Sequence, residues 1–434
     1  MDILFKNVTA VLMDTACTVL SNAYVGITGS KISYVGQSAP KEAATRVIDG
    51  THKVLLPGFV NAHTHLAMTQ LRGYADDYAL QAWLDEHIFP AEAKMTDEMC
   101  YIGTQLAMME CIASGTVSVT DMYDHMLAVG RVVEESGLKA NLTRALMTFD
   151  PDYNAASFAA DFRQRETLEL IDAYHGFDNG RILVDTSIHA EYTSHKGLWE
   201  PVAAFALERG LGMNVHVSET KFEHEGCKER YGKTPARVLY EAGVFDVRTT
   251  AAHCVWTEPE DWAIFAEKGV TAVHNPVSNL KLASGVAPVP SMLSAGVNVA
   301  LGTDGVASNN SHDMLEEVKT AALFHKGMSL DPTMMPAPQA LRLAVTGGAV
   351  AQGRQGEMGE IALGLDADLI LMDFDAPHLT PVHNVISNLV YAARGSDICL
   401  TLVRGRVLYE NGEFLTIDRE RVLHENRRIA ERFR

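Results

Sequence analysis

The segment Leu55 to Leu66, LLPGFVNAHTHL, ends an apolar run in a Pro-Gly turn signal and two histidines one residue apart, His63 and His65. Side chains alternate sides along a strand, so these imidazoles project the same way, about 6–7 Å apart. Both can reach one metal ion. A pair alone is weak evidence in a chain with 17 histidines, but ligand-type residues also end other apolar segments: His216 in MNVHVSET, His253 in TTAAHC and Asp304 in VALGTDG. Three imidazoles and a carboxylate suit zinc or a similar divalent ion, with a position left for water. Taken singly, His253 and Asp304 fit equally well as buried polar residues hydrogen-bonded to backbone. Glu219 follows His216 by three residues. Elsewhere it would read as a solvated carboxylate. Beside a metal it can shuttle a proton from bound water to a ring nitrogen, which makes a heteroaromatic carbon electrophilic. The segment RILVDTSIHAEYTS contains no lysine that could be carbamylated to bridge two ions, so one metal is expected.

Such residues need elements that bring distant segments together. From Met1 to about Leu56 the pattern is strand-like, with β-branched residues between Gly, Asn and Asp turns, and the C-terminal region returns to it. There Asn411-Gly412 is a hairpin signal. A helix-like charged tail follows. Between these ends helix and strand alternate: TDEMCYIGTQLAMMECIASG has helical spacing and TVSVTDMY reads as a strand. The alternation recurs through KANLTRALMT, RILVDTSIHAEYTS, LGMNVHVSET, TTAAHCVW, VTAVHNPVSN and VNVALGTDG. With the strand ending at His63 this makes eight strands, each apolar enough to lie between layers of helices. The expected fold is therefore α/β, a (β/α)8 TIM barrel with a small β-sandwich domain formed from both chain ends. The expected divisions are 1–57 and 356–434 for the small domain, the latter with a C-terminal helix, and 58–355 for the barrel. The C-terminal ends of barrel strands are where catalytic groups gather.

Bulk properties narrow the partners. The 434 residues, 47% hydrophobic, can bury a large core, and the net charge of −19 lacks the clustered cations that bind phosphate backbones. A small-molecule substrate is expected, not nucleic acid. Cys17, Cys100, Cys111, Cys227, Cys254 and Cys399 show no C-x-x-C spacing, so they read as buried thiols of a reducing compartment. Neither a signal peptide nor an apolar run of about 20 residues is evident, so a cytoplasmic location without membrane association is expected.

Several tempting signals fail on spacing. In GCKERYGKT the glycines are separated by five residues, not the four of a phosphate loop. HAE at His189 to Glu191 opens another zinc deaminase signature, but no P-C-x-x-C follows. DADLILMDFD lacks the Gly and terminal Glu of a calcium loop.

PGFVNAHTH, HVSET, HNPVSNLKLASGVAP and GTDGVASNN, in this order over nearly the whole chain, resemble the amidohydrolase superfamily, and most of all its methylthioadenosine/S-adenosylhomocysteine deaminases. The resemblance implies one divalent ion per subunit, Zn2+ first with Fe2+ or Mn2+ as alternatives, held by His63, His65, His216 and Asp304. It implies that Asp304 takes a proton from the attacking water. His253 would hydrogen-bond the water or tetrahedral centre, and Glu219 would protonate N1 of adenine. Substrate contacts map to Glu92 on the ribose hydroxyls, Arg144 and His189. Glu92 could instead be an exposed helix-start carboxylate, and Arg144 a structural ion-pair partner. The implied reaction is deamination of an adenine nucleoside by a homo-oligomeric enzyme. Triazine hydrolysis and guanine or pterin deamination remain alternatives, as does an inactive barrel scaffold.

Overall fold

In the computed structural model, which describes residues 1–78 and 80–433, the N-terminal β-branched runs form five strands: β1 (Ile3–Val11), β2 (Val19–Thr28), β3 (Lys31–Gly36), β4 (Arg46–Asp49) and β5 (Lys53–Pro57). β1 pairs antiparallel with β2 and parallel with β4 and β5. The chain then passes into β6 (Phe59–Thr64) through Gly58, where a Cβ would lie 2.2 Å from Val117. Only glycine permits that approach.

The middle of the chain alternates parallel strands with helices: β7 (Thr116–Tyr123), β8 (Lys139–Arg144), β9 (Ile182–Val184), β10 (Thr186–Ala190), β11 (Met213–Val217), β12 (Thr249–His253), β13 (Thr271–His274) and β14 (Asn298–Leu301). Strands β7, β8, β11, β12 and β13 are buried at every residue, as strands covered on both faces must be. Hydrogen bonding groups them into two parallel sheets, β6-β7-β8-β9 and β10-β11-β12-β13-β14. The strand expected over RILVDTSIHAEYTS is thus interrupted at Asp185, whose carboxylate takes bonds from Gly212 N (2.9 Å), Asn141 Nδ2 (2.8 Å) and Arg248 Nη2 (2.6 Å). Its N–H still donates to Leu142 O. At the opposite edges, Thr64 bridges to Asp304, and Asp304 N donates to His63 O at 3.0 Å.

After the helices Met314–Ser329 and Ala337–Ala344 come β15 (Leu369–Asp373), β16 (Ile398–Val403), β17 (Arg406–Glu410) and β18 (Glu413–Phe414). β15 pairs antiparallel with β5, so both chain ends build one nine-stranded sheet. Its apolar face encloses Phe5, Val25, Ile27, Leu55, Leu369, Leu371 and Leu400. Asn411 and Gly412, both at positive φ, turn β17 into β18, matching the two-residue hairpin expected there. The charged tail is the helix Arg419–Ala430.

A buried ion cluster joins this sheet to the parallel strands. Lys139, the first residue of β8, is fully buried, and its ammonium meets Glu357, Asp366 (2.7 Å) and Asp368 (2.7 Å). Burial opposes the Lys139 charge, but the carboxylates outweigh it and raise its pKa. All six cysteines are free thiols. Among the described residues no helix is long and apolar enough to cross a membrane.

Candidate active site

The C-terminal ends of the parallel strands bring His63, His65, His189, His216, Glu219, His253 and Asp304 together. His63 lies within β6, and His65 is the first residue past its last hydrogen-bonded position. Their ring centroids are 4.9 Å apart. His216 lies on β11 and His253 ends β12. Asp304 stands three residues past β14. His253 and Asp304 adopt φ of 72° and 63°, a region disfavoured for residues with a Cβ and held here by the surrounding structure.

Ligand atoms of His63, His216 and His253 lie within 4.8 Å of one another, as do those of His63, His65 and Asp304. Asp304 Oδ1 is 3.5 Å from His63 Nε2 and 3.2 Å from His65 Nε2. Its other oxygen, Oδ2, accepts hydroxyl bonds from Ser278 (2.6 Å) and Ser308 (2.9 Å). His65 Nδ1 contacts Met122 O at 2.5 Å and His216 Nδ1 contacts His189 O at 2.6 Å. Carbonyls only accept, so each Nδ1 carries a proton and turns Nε2 inward. The two Nε2 atoms are 3.4 Å apart.

This donor set fits a divalent cation. Carbonyl-anchored imidazoles are how proteins orient metal-binding histidines, and among the described residues buried His63 finds no hydrogen-bond partner at either ring nitrogen. Burial pushes His63 down to about 4. For His65 burial acts the same way, but the Asp304 carboxylate reverses it and raises the group to about 9. The cluster therefore favours positive charge beside Asp304. Lys139 is no alternative ligand, since it lies at the other end of β8 among its three carboxylates.

Beside the cluster is a cavity of about 570 Å³, a size typical of small-molecule sites. Leu80, Trp83, Leu84, Ile88, Phe89, Met147 and Phe149 supply its apolar wall; Glu92, Tyr123, Asp124, Arg163, His189, Tyr192 and Glu219 its polar groups. Glu219 Oε2 is 3.9 Å from His253 Nε2, and burial raises its pKa. His253 Nδ1 meets Asn279 Oδ1 at 2.9 Å. Glu92 ends the short helix Phe89–Glu92, half-buried. Burial pushes its carboxyl up to about 7. It is therefore not the exposed helix-start carboxylate that its local sequence also allows. Burial lowers His189 to about 3, keeping it neutral.

Two expected site residues do not line the cavity: His63, which sits buried within the ligand cluster, and Arg144. The Arg144 guanidinium is taken up by Glu166 (2.6 Å), Asp124 and the carbonyl of Ala145 (2.9 Å). Arg163 lines the cavity instead, stacked 4.5 Å over the Phe162 ring. Among the described residues it is the only Lys or Arg to do so. No local pattern marks Arg163. Tyr123, which also lines the cavity, could have been found by its position at the end of TVSVTDMY.

A strand-end histidine and aspartate cluster open to a small-molecule cavity defines a metal-dependent hydrolase site of the amidohydrolase kind. The chain belongs to the amidohydrolase family, which it matches over residues 54–408. It is 43% identical over 425 residues to a 5-methylthioadenosine/S-adenosylhomocysteine deaminase of Thermoanaerobacter pseudethanolicus, covering 98% of this chain and 97% of that one. It is 44% identical over 430 residues to a 5'-deoxyadenosine deaminase of Methanosarcina acetivorans, with 99% and 98% coverage. A crystal structure of an adenosine deaminase from Xanthomonas campestris with bound zinc superposes with a TM-score of 0.93 at 32% identity, covering 100% of this chain and 98% of that one.

Proposed function

We infer that this protein catalyses the metal-dependent hydrolytic deamination of an adenine nucleoside, giving the inosine derivative and ammonia. The candidates are S-adenosylhomocysteine, 5'-methylthioadenosine, 5'-deoxyadenosine and adenosine, and the names of the full-length relatives support that class. The observation that carries the reading is one cavity lined by both Glu219, beside the metal-type cluster, and Glu92, raised toward neutrality in a half-buried position.

His63, His65, His216 and Asp304 would hold one ion. Zn2+ is supported by the zinc-bound neighbour, and Fe2+ or Mn2+ suit the same nitrogen and oxygen donors. When bound, such an ion supplies Lewis acidity that brings the pKa of water toward about 7. Asp304 accepts the proton released by the attacking water. Glu219, raised by burial, delivers a proton to N1 of the adenine and then assists the departing ammonia. His253, oriented by Asn279, hydrogen-bonds the oxygen added at C6. Glu92 accepts from the ribose hydroxyls and neutral His189 contacts the purine. Arg163, the cavity's lone cation among the described residues, faces the 5' substituent. Arg144 serves by fixing Asp124 in the cavity wall.

The same reading treats the parallel strands as one closed (β/α)8 barrel over residues 58–355, with β9 and β10 as halves of one strand. The bond from Asp304 N to His63 O supports closure. Residues 1–57 and 356–434 then form a small β-sandwich domain around the core their sheet encloses. A cytoplasmic homo-oligomer acting on a small molecule completes the proposal.

The test is ammonia release, with the fall in adenine absorbance, from metal-replete protein given the four nucleosides, adenine, guanine and a triazine in parallel. Turnover of nucleosides but not free bases is expected. Turnover only of a base or a triazine would leave the metal site intact and overturn the assignment of Glu92.

A further inference from the structure

Glu223 plays no part in the mechanism above, yet it is almost wholly buried, four residues after Glu219. β11 ends at Val217, and the chain reverses through Ser218, at φ 50°, before Thr220 caps the helix Lys221–Tyr231. The reversal removes the N–H groups of Ser218 and Glu219 from strand pairing, and both residues are buried. Buried amide donors must find acceptors. The Glu223 carboxylate provides them: Oε1 accepts from Ser218 N at 2.9 Å and Oε2 from Glu219 N at 2.7 Å. Its own N–H donates to Thr220 Oγ1 at 3.1 Å, so Thr220 and Glu223 form a capping-box arrangement that reaches back past the cap. Ser218 O in turn accepts from Trp256 N at 3.0 Å, tying the turn to the segment that follows His253.

We propose that Glu223 is a positioning residue for the reaction, clamping the backbone of residues 218 and 219 so that the Glu219 carboxylate is aimed between His253 and the substrate. The proposal rests on the reading of Glu219 as the proton carrier. Glu223→Gln keeps size and one acceptor but turns an amide donor against one of the two N–H groups. The turn must shift to relieve that contact, and Glu219 moves with it. Displacements of about 1 Å at a reacting group cost on the order of 100-fold in rate.

The experiment measures kcat, KM, metal stoichiometry and melting temperature for Glu223→Gln, Glu223→Asp and Glu219→Gln, using the nucleoside that the substrate panel ranks first. For Glu223→Gln, kcat falls roughly 10–100-fold while KM stays within about threefold and bound metal matches wild type. Glu223→Asp, which keeps both acceptors on a stem one methylene shorter, falls less. If the Gln variant does not fold, the Asp variant decides by the same split between kcat and KM. A folded, metal-loaded Glu223→Gln protein with kcat within about twofold of wild type overturns the proposal. Parallel loss of metal and activity in both variants also overturns it, because Glu223 would then support the metal site. Full activity in Glu219→Gln overturns the proton-carrier reading itself. An inactive Glu219→Gln beside a fully active Glu223→Gln removes only the clamp.

Discussion

Replacing Lys139 by Met separates the energetics of the fold from the chemistry of the site. The Lys139 side chain is 0% exposed and makes ion pairs with Glu357, Asp366 and Asp368, of which Asp368 is 1% exposed. Removing one member of a buried pair costs about 3–5 kcal/mol, because the remaining charge is cut off from water. Asp366 keeps Lys31 at 2.6 Å, but Asp368 is left with the Arg404 N–H at 2.7 Å and, among the described residues, no cation in contact. Burial already pushes the Asp368 carboxyl up, so without the ammonium it is driven to take a proton. Unfolding entropy of about 2.1 cal/mol/K per residue gives roughly 0.9 kcal/mol/K for 434 residues. The Met variant should therefore melt about 3–6 °C lower. Adding Asp368→Asn removes the stranded carboxylate and should recover part of that loss. The assay is calorimetric melting at a fixed scan rate, with kcat measured well below the transition. Because Lys139 starts β8 while the site lies at the other end of the strands, kcat should hold within about twofold. A Met variant melting within about 1 °C of wild type would refute the assignment of Lys139 as the tie between the sheets, and so would lost turnover at unchanged melting temperature.

Three further outcomes are expected. Glu92→Ala should raise KM for a nucleoside by about 10-fold or more, as loss of hydrogen bonds to a charged group predicts; an unchanged KM would remove Glu92 from the ribose. Prolonged chelation should abolish turnover and lower the melting temperature, with Zn2+ restoring both; full activity in demonstrably metal-free protein contradicts the metal requirement. His325 is buried beside His274, with no partner at Nε2 among the described residues, and burial lowers its pKa from 6.5 to about 4. The unfolded chain takes up this proton first, so the contribution of His325 to stability is full above pH 6.5 and is lost as pH falls toward 4, by up to about 3 kcal/mol. His325→Phe should flatten denaturant stability across that window, and an unaltered slope would show that His325 does not titrate as described.

Most of the metal-type cluster was legible because strand ends are marked by abrupt composition changes: His63, His216 and His253 each close an apolar run. TVSVTDMY became β7 with the expected bounds, since every one of its residues is buried and nothing competes with its strand propensity. The interruption between β9 and β10 was not legible. It depends on what meets the Asp185 carboxylate, and Asn141, Gly212 and Arg248 are far from it in sequence. Arg144 and Arg163 show the same limit. Arg144 ends β8 and Arg163 lies in the first turn of the helix Phe162–Tyr174, and only the through-space presence of Asp124 and Glu166 shows that the first is consumed by close ion pairs. The positive φ at His253 and Asp304 was likewise not legible: His and Asp tolerate this region better than most residues with a Cβ, but only the tertiary surroundings place them in it.

The pairing of β5 with β15 sets a schedule for making the molecule. Leu55 faces Leu371 across that ladder, and a ribosome adding about 5–20 residues per second needs on the order of 15–60 seconds to supply the second after the first. During that interval β5 has β1 for part of one edge and no partner for the other. An apolar, hydrogen-bond-hungry edge then stands open in the growing chain until translation is nearly finished. Slow stretches of translation between these strands lengthen the exposure. Chaperones that shield strand edges bear on the yield of this protein more than on its final stability.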